Sequence, residues 1–241
     1  MDEQAGQQAG PQAGQIAYEA NIESLPNGTV CAEIAELPGC YVMAADAAAA
    51  TYALDARIPA YFDWLRSHDE YTPIVRGPFR SVAKETQRGE GQAFGVAFFA
   101  TDAEPVSTED LDFLTALLEW SLDDALRLAE QINPAALDIP TRFGASPHWL
   151  LETLVLAQAK LLDRLNANPD PDAIRLSDEP LLAQLRDVRD VSLRRLRSVS
   201  EADRGRVFEV QGTRWSLRKI LRCGILSARM YAESLAAAAG E

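Results

Sequence analysis

The hydrophobic period of this chain changes at Glu104-Pro105, and beyond that point apolar residues recur every three or four positions. Leu111, Leu114, Leu118, Leu122, Ala125, Ala129 and Ile132 fall on one helical face, with Ser107 ahead of them as a start signal. Ser146 and Pro147 read as the N-cap and first residue of a second helix, which carries Leu151, Leu154, Gln158, Leu161 and Leu165. A third begins near Pro180 and keeps Leu181, Leu185, Val188, Ser192, Leu196 and Val199 inside. A fourth follows Trp215-Ser216 and runs to Ala238 or close to it. One amphipathic helix cannot bury its own stripe, and four of about 20 residues each bury theirs most economically as a bundle. Residues 105–241 are therefore predicted to form an all-α four-helix bundle.

Upstream the period is two. Ile16, Tyr18, Ala20 and Ile22 alternate, Leu25-Pro26-Asn27-Gly28 makes a turn, and Val30, Ala32 and Ile34 alternate again. Asn27-Gly28 suits a hairpin with two positive φ values. Glu36 to Cys40 breaks the second strand, and Tyr41 to Ala44 starts a third. Asp46 is placed to cap a helix through Leu65 that carries Leu54, Ile58, Phe62 and Leu65, with Pro59 in its middle as a kink. Residues 72–91 are rich in Gly, Pro and charge, whereas Ala93 to Ala100 holds three phenylalanines and reads as one more buried strand or a segment packed between domains. The fold class is α+β: a β-β-β-α-β module over residues 15–104, then the bundle. The first fourteen residues repeat Gln, Ala and Gly without a large apolar side chain and are expected to be a disordered tail.

Charge narrows the functional classes. The chain carries a net charge of -13, but residues 175–229 hold 13 Arg and Lys against 7 Asp and Glu. The overall sign argues against a nucleic-acid partner; the basic block leaves an anion or acidic partner open, and its helical placement points to a solvated face. Cys31, Cys40 and Cys223 are odd in number and lack CxxC spacing, so reduced thiols are expected. No basic, apolar leader and no run of about 18 apolar residues is present, which predicts a cytoplasmic protein without membrane contact. His68 and His148 lie far apart in sequence, the first after a helix and the second in a helix's first turn, and neither is assigned chemistry.

Two segments carry a likeness to known families. The hairpin, the run ELPGCYVMAAD and the helix ending in IPAYFDWLRSHDE resemble the HicB antitoxin fold over roughly residues 15–75. That likeness implies partner binding or dimerisation of the toxin–antitoxin kind, although no DNA-binding segment of the sort HicB antitoxins carry is visible. The segment RWSLRKILRCGILSARMYAESL is similar to the last helix of DinB and YfiT-like bundles. In that family histidines from the second and last helices hold a divalent metal, and the resemblance places the matching positions at Gln158, Cys223, Ser227 and Tyr231.

None of these four is a histidine, and one cysteine among neutral oxygens is a poor set for a first-row metal. The expectation is a non-enzymatic binding or dimerisation protein whose bundle has lost its metal, with no cofactor, a homodimeric state and a small-molecule or protein partner. Gln158, Cys223, Ser227 and Tyr231 are its candidate pocket or, equally, a hydrogen-bonded core network. Two alternatives stay open: a metal-dependent or thiol-transferring enzyme using Cys223, and a regulator that touches nucleic acid through the basic block.

Overall fold

The computed structural model describes residues 16–70, 78–89, 97–141, 144–166 and 177–239. The chain divides into two compact units, Met1–Phe94 and Gly95–Glu241. The expected tail at residues 1–14 lies outside the described residues.

In the first unit the elements are β1 (Ile16–Ser24), β2 (Val30–Ile34), β3 (Tyr41–Ala44), α1 (Ala47–Ser67) and β4 (Phe79–Arg88). They give a sheet of order β3-β2-β1-β4, antiparallel between β1, β2 and β3, with β4 parallel to β1. Ala20 pairs with Ile34 and Ile22 with Ala32, and all four are buried. Helix α1 crosses β2, β3 and β4 and contributes Ala50, Leu54, Ile58, Tyr61 and Leu65 to the same core. Asp46 caps it by accepting from the Ala49 amide at 2.8 Å. The buried aromatic on its stripe is Tyr61 rather than Phe62, because the Tyr61 hydroxyl donates to the Pro38 carbonyl at 2.9 Å and ties the helix to the turn before β3.

Two expectations in this unit need correction. The β1–β2 turn has positive φ only at Gly28, not at Asn27 as well. Pro26 fixes a negative φ, so Leu25 to Gly28 closes as an ordinary turn, the Gly28 amide donating to the Leu25 carbonyl at 3.0 Å, and glycine alone takes the left-handed position. Among the described residues the last strand of this unit is Phe79–Arg88, within the stretch set aside as Gly-, Pro- and charge-rich, while residues 93–96 of the apolar run lie outside the described residues. As an edge strand with one hydrogen-bonded neighbour, β4 tolerates Arg, Lys and Glu that a central strand would not.

The second unit holds α2 (Thr108–Gln131), α3 (Pro147–Asp163), α4 (Leu181–Arg197), β5 (Val207–Val210), β6 (Thr213–Ser216) and α5 (Leu217–Ala239). Every apolar residue assigned to the first helical stripe, from Leu111 to Ile132, is buried. Ser107 caps α2 through the Asp110 amide at 3.0 Å, and Ser146 caps α3 through that of Trp149 at 3.2 Å, with Pro147 in the first turn. The unit is not all-α: β5 and β6 form a hairpin whose turn residues, Gln211 and Gly212, both have positive φ. Ala97 to Phe99 is not a strand; it leads into a short 3-10 turn, Ala100–Ala103, that packs on α5.

Helix α5 is the axis of this unit. It is buried nearly all round from Leu217 to Tyr231, with α2 and α3 along its length and the 3-10 turn and β6 at its start. Burying a leucine such as Leu221 or Leu226 there is worth about 1.5–3 kcal/mol each. Three arginines of α4, by contrast, face the acidic side of α2. Arg189 binds Asp123 Oδ1 at 2.6 Å and Glu119 Oε1 at 2.8 Å, Arg197 reaches Glu119 Oε2 at 3.1 Å, and Arg186 pairs with Glu130. Three arginines of the basic block, Arg186, Arg189 and Arg197, thus form an interhelical ion-pair seam. No described helix is long and apolar enough to cross a membrane.

Candidate functional site

Gln158, near the middle of α3, meets α5 where Gly224 lets the two helices approach. Its Nε2 donates to the Gly224 carbonyl at 3.0 Å and to Ser227 Oγ at 2.9 Å, and Ser227 Oγ in turn donates to the same carbonyl at 3.1 Å. Gln158 is 2% exposed and Ser227 4%. A Cβ built on Gly224 would lie 3.4 Å from Leu118 Cδ1 and 3.5 Å from Gln158 Oε1, so α2, α3 and α5 meet here with room for ordinary van der Waals contact. The space beside the amide is a cavity of about 10 Å³ lined by leucines and Ser192, at or below the size that holds one water.

Of the four positions singled out from the sequence, the structure brings Gln158 and Ser227 together. Cys223 and Tyr231 are buried on the same helix, yet neither lines that cavity. Burial pushes the Tyr231 phenol above its ordinary pKa of 10.0, because the phenolate would lose its hydration there. The candidate pocket is therefore a packed junction and not an open site.

The residues do not fit a divalent metal. The position that the family likeness gives to the ligand of the second helix holds a neutral amide with its NH₂ group turned toward α5, and a donor NH₂ cannot ligate. Among the described residues, no group of three or more His, Cys, Asp or Glu side chains gathers in a metal-binding arrangement. His148 Nδ1 lies 3.2 Å from Asp138 Oδ1 at the start of α3, and His68 stacks edge-on against Trp64 at the end of α1.

What pattern reading missed lies at the start of α5, where two cations, Lys219 and Arg222, are buried. Arg222 forms two 2.9 Å hydrogen bonds with Asp102, which is fully buried, and donates to the Ala97 carbonyl at 3.0 Å. Asp102 also accepts from the Phe99 amide at 2.9 Å, and its carbonyl accepts from Ser216 Oγ at 2.5 Å. Ser216 Oγ accepts from the Lys219 amide at 3.1 Å, which caps α5. Lys219 has no exposed surface: its Nζ donates to the Arg214 carbonyl at 2.9 Å and lies 4.3 Å from the Trp215 ring centre and 5.7 Å from that of Phe98. These contacts pin the segment before α2 to α5 by charge and aromatic faces. Arg229, farther along, pairs with Glu233 at 3.7 Å.

A wider cleft lies elsewhere, where α3 and α4 end and α5 begins. A cleft of about 330 Å³ is walled by Arg164, Arg195 and Arg206 with Phe208 and Leu217, and Asp203 is its one carboxylate among the described residues. That volume lies at the lower end of the range of small-ligand pockets.

No curated protein and no solved structure matches the chain. A family model described as the DinB superfamily matches residues 117–226, from inside α2 to inside α5, so the helical region of this chain is similar to that superfamily.

Proposed function

We propose that the helical unit is a metal-free, non-catalytic relative of the DinB bundles that serves binding, and that the HicB-like first unit serves dimerisation or capture of a protein partner. The observation that carries the first part is the Gln158 amide bound to Ser227 Oγ and to the Gly224 carbonyl. It fills the interior where the family likeness would put ligands, with a donor in place of a lone pair. The near-absence of space beside it supports the same reading.

The second part rests on the β-β-β-α-β order of the first unit and on the ELPGC turn. In that turn Gly39 has φ +85°, and the Tyr61 hydroxyl holds the Pro38 carbonyl. Fold likeness carries partner binding only as an analogy.

The test is elemental analysis of protein purified without a metal-affinity tag, repeated after incubation with zinc, nickel and manganese and desalting. Less than about 0.1 metal per chain is expected, since structural zinc sites draw on the order of 10 kcal/mol from several good ligands. A value near one that vanishes in Cys223→Ser would overturn the proposal in favour of a metalloenzyme. Sedimentation equilibrium reads the first unit's role: a dimer is expected, and a monomer at all accessible concentrations removes the dimerisation reading.

A further inference from the structure

We infer that the cleft at the ends of α3 and α4 binds a small organic oxyanion, a carboxylate or phosphate monoester that carries one apolar ring or short chain. Three arginines converge on it from separate elements: Arg164 caps the end of α3, Arg195 lies in the last turn of α4, and Arg206 precedes β5. Against them, among the described residues, stands one carboxylate in the lining, Asp203, whose Oδ2 accepts from Ser200 Oγ at 2.5 Å and whose Oδ1 lies 3.8 Å from Arg206. The lining is net cationic in a chain of charge -13.

A structural account explains part of this. Two helices end here, and each carbonyl end favours a nearby cation. That accounts for Arg164 and Arg195 but not for Arg206, nor for the state of the Arg164 guanidinium. Its Nη1 is buried with no hydrogen-bond partner among the described residues, while the group lies 5.3 Å from the Trp215 ring centre. An unmet donor of this kind costs stability on its own, and an oxyanion in the cleft supplies acceptors to the three arginines that line it.

Arg195 is held by its Nη1 hydrogen bond to Asn166 Oδ1 at 2.9 Å. Arg206 lies 5.1 Å from the Phe208 ring centre, which fixes it against an apolar wall shared with Leu217. Guanidinium groups in this setting take the two oxygens of a carboxylate or phosphate as a fork, and Phe208 offers a face to the ligand's apolar part. The site is separate from the Gln158 junction, and the inference stands or falls independently of whether that junction excludes metal.

Isothermal titration calorimetry of the full chain with EDTA present, using benzoate, phenyl phosphate, inorganic phosphate and benzyl alcohol, tests it. Benzoate or phenyl phosphate is expected to bind saturably at one per chain, and whichever binds more tightly assigns carboxylate or phosphate. Inorganic phosphate should bind at least about tenfold more weakly and benzyl alcohol not at all, since both parts of the ligand are needed. Arg164→Met and Arg206→Gln should each weaken binding by about 10- to 100-fold, the worth of a charge-assisted hydrogen bond, whereas Arg186→Gln on the α2–α4 seam should leave it unchanged. Arg206 is half-exposed and its variant is expected to fold even if that of Arg164 does not. Failure of both aryl anions to saturate, or affinities unmoved by Arg206→Gln, overturns the inference.

Discussion

Asp102 and Arg222, 120 residues apart in the chain, face each other through two hydrogen bonds of 2.9 Å in the interior of the helical unit. Neither charge has water to fall back on, so each depends on the other. Asp102→Ala should destabilise the protein by about 3–5 kcal/mol, because it strands a buried guanidinium. The pair replacement Asp102→Leu with Arg222→Met should recover most of that loss, as read by urea unfolding. A single variant no worse than the double would show that the pair does not act as a unit.

Gly224 sits in the interior of α5, where glycine costs a helix roughly 1 kcal/mol relative to alanine. The added methyl would make ordinary contacts of 3.4 and 3.5 Å. Gly224→Ala should therefore leave the protein as stable as before or raise its stability by up to about 1 kcal/mol. Gln158→Leu should lower it by about 1–2 kcal/mol through the loss of two hydrogen bonds. Chemical denaturation compares the two, and a strongly destabilised alanine variant would mean that the junction admits no further atom.

Cys223 is 6% exposed, and Cys31 and Cys40 are buried too. A thiol-transferring role needs an accessible thiolate. Native protein should react with a thiol reagent many-fold more slowly than the urea-unfolded chain, at all three cysteines. Fast, stoichiometric labelling of Cys223 in the folded state would reopen the enzymatic alternative.

The pKa of Tyr231 is raised, so the folded state keeps its proton while the unfolded chain releases it. The sign follows: this group costs nothing below pH 10.0, the ordinary value, and stability falls as pH rises from there toward the folded-state pKa. Tyr18 moves in the same direction through burial and the nearby Glu36 and Cys40. Ultraviolet titration should show late-ionising phenols, and Tyr231→Phe should remove one of them. An unchanged titration curve in that variant would place Tyr231 among the solvated tyrosines.

Arg189 joins α4 to α2 through Glu119 and Asp123. At 20% side-chain exposure it is shielded more than a surface ion pair. Arg189→Gln should cost about 1–2 kcal/mol at low salt, and less at high salt. A loss that does not vary with salt would assign the effect to packing of the arginine stem.

Three of the four helices were legible because each carries both a stripe and a start signal, Ser107 before Leu111, Ser146 before Leu150, and Ser216 before Ile220, whereas α4 follows Pro180 without a side-chain cap and was read from its stripe alone. Gln158 and Ser227 were singled out by the family likeness, as positions where that family holds ligands, and in the structure these two meet through a hydrogen bond. The β5–β6 hairpin was not legible. Its strands are four residues each, and its turn uses Gln211 where asparagine or aspartate would advertise positive φ. Strand β4 was hidden by the charge that an edge position permits. The arginine cleft was invisible because Arg164, Arg195 and Arg206 come from three segments, and in sequence each reads as an ordinary helix-end or loop cation.

Helix α5, on which α2 and α3 pack, is also the last of the four helices to leave the ribosome. Until it arrives, the faces of α2 and α3 that pack on it stay uncovered, and Asp102 lacks its arginine. The helical unit thus spends its synthesis as sticky, unfinished halves, and a chaperone that shelters apolar helices has its longest opportunity here.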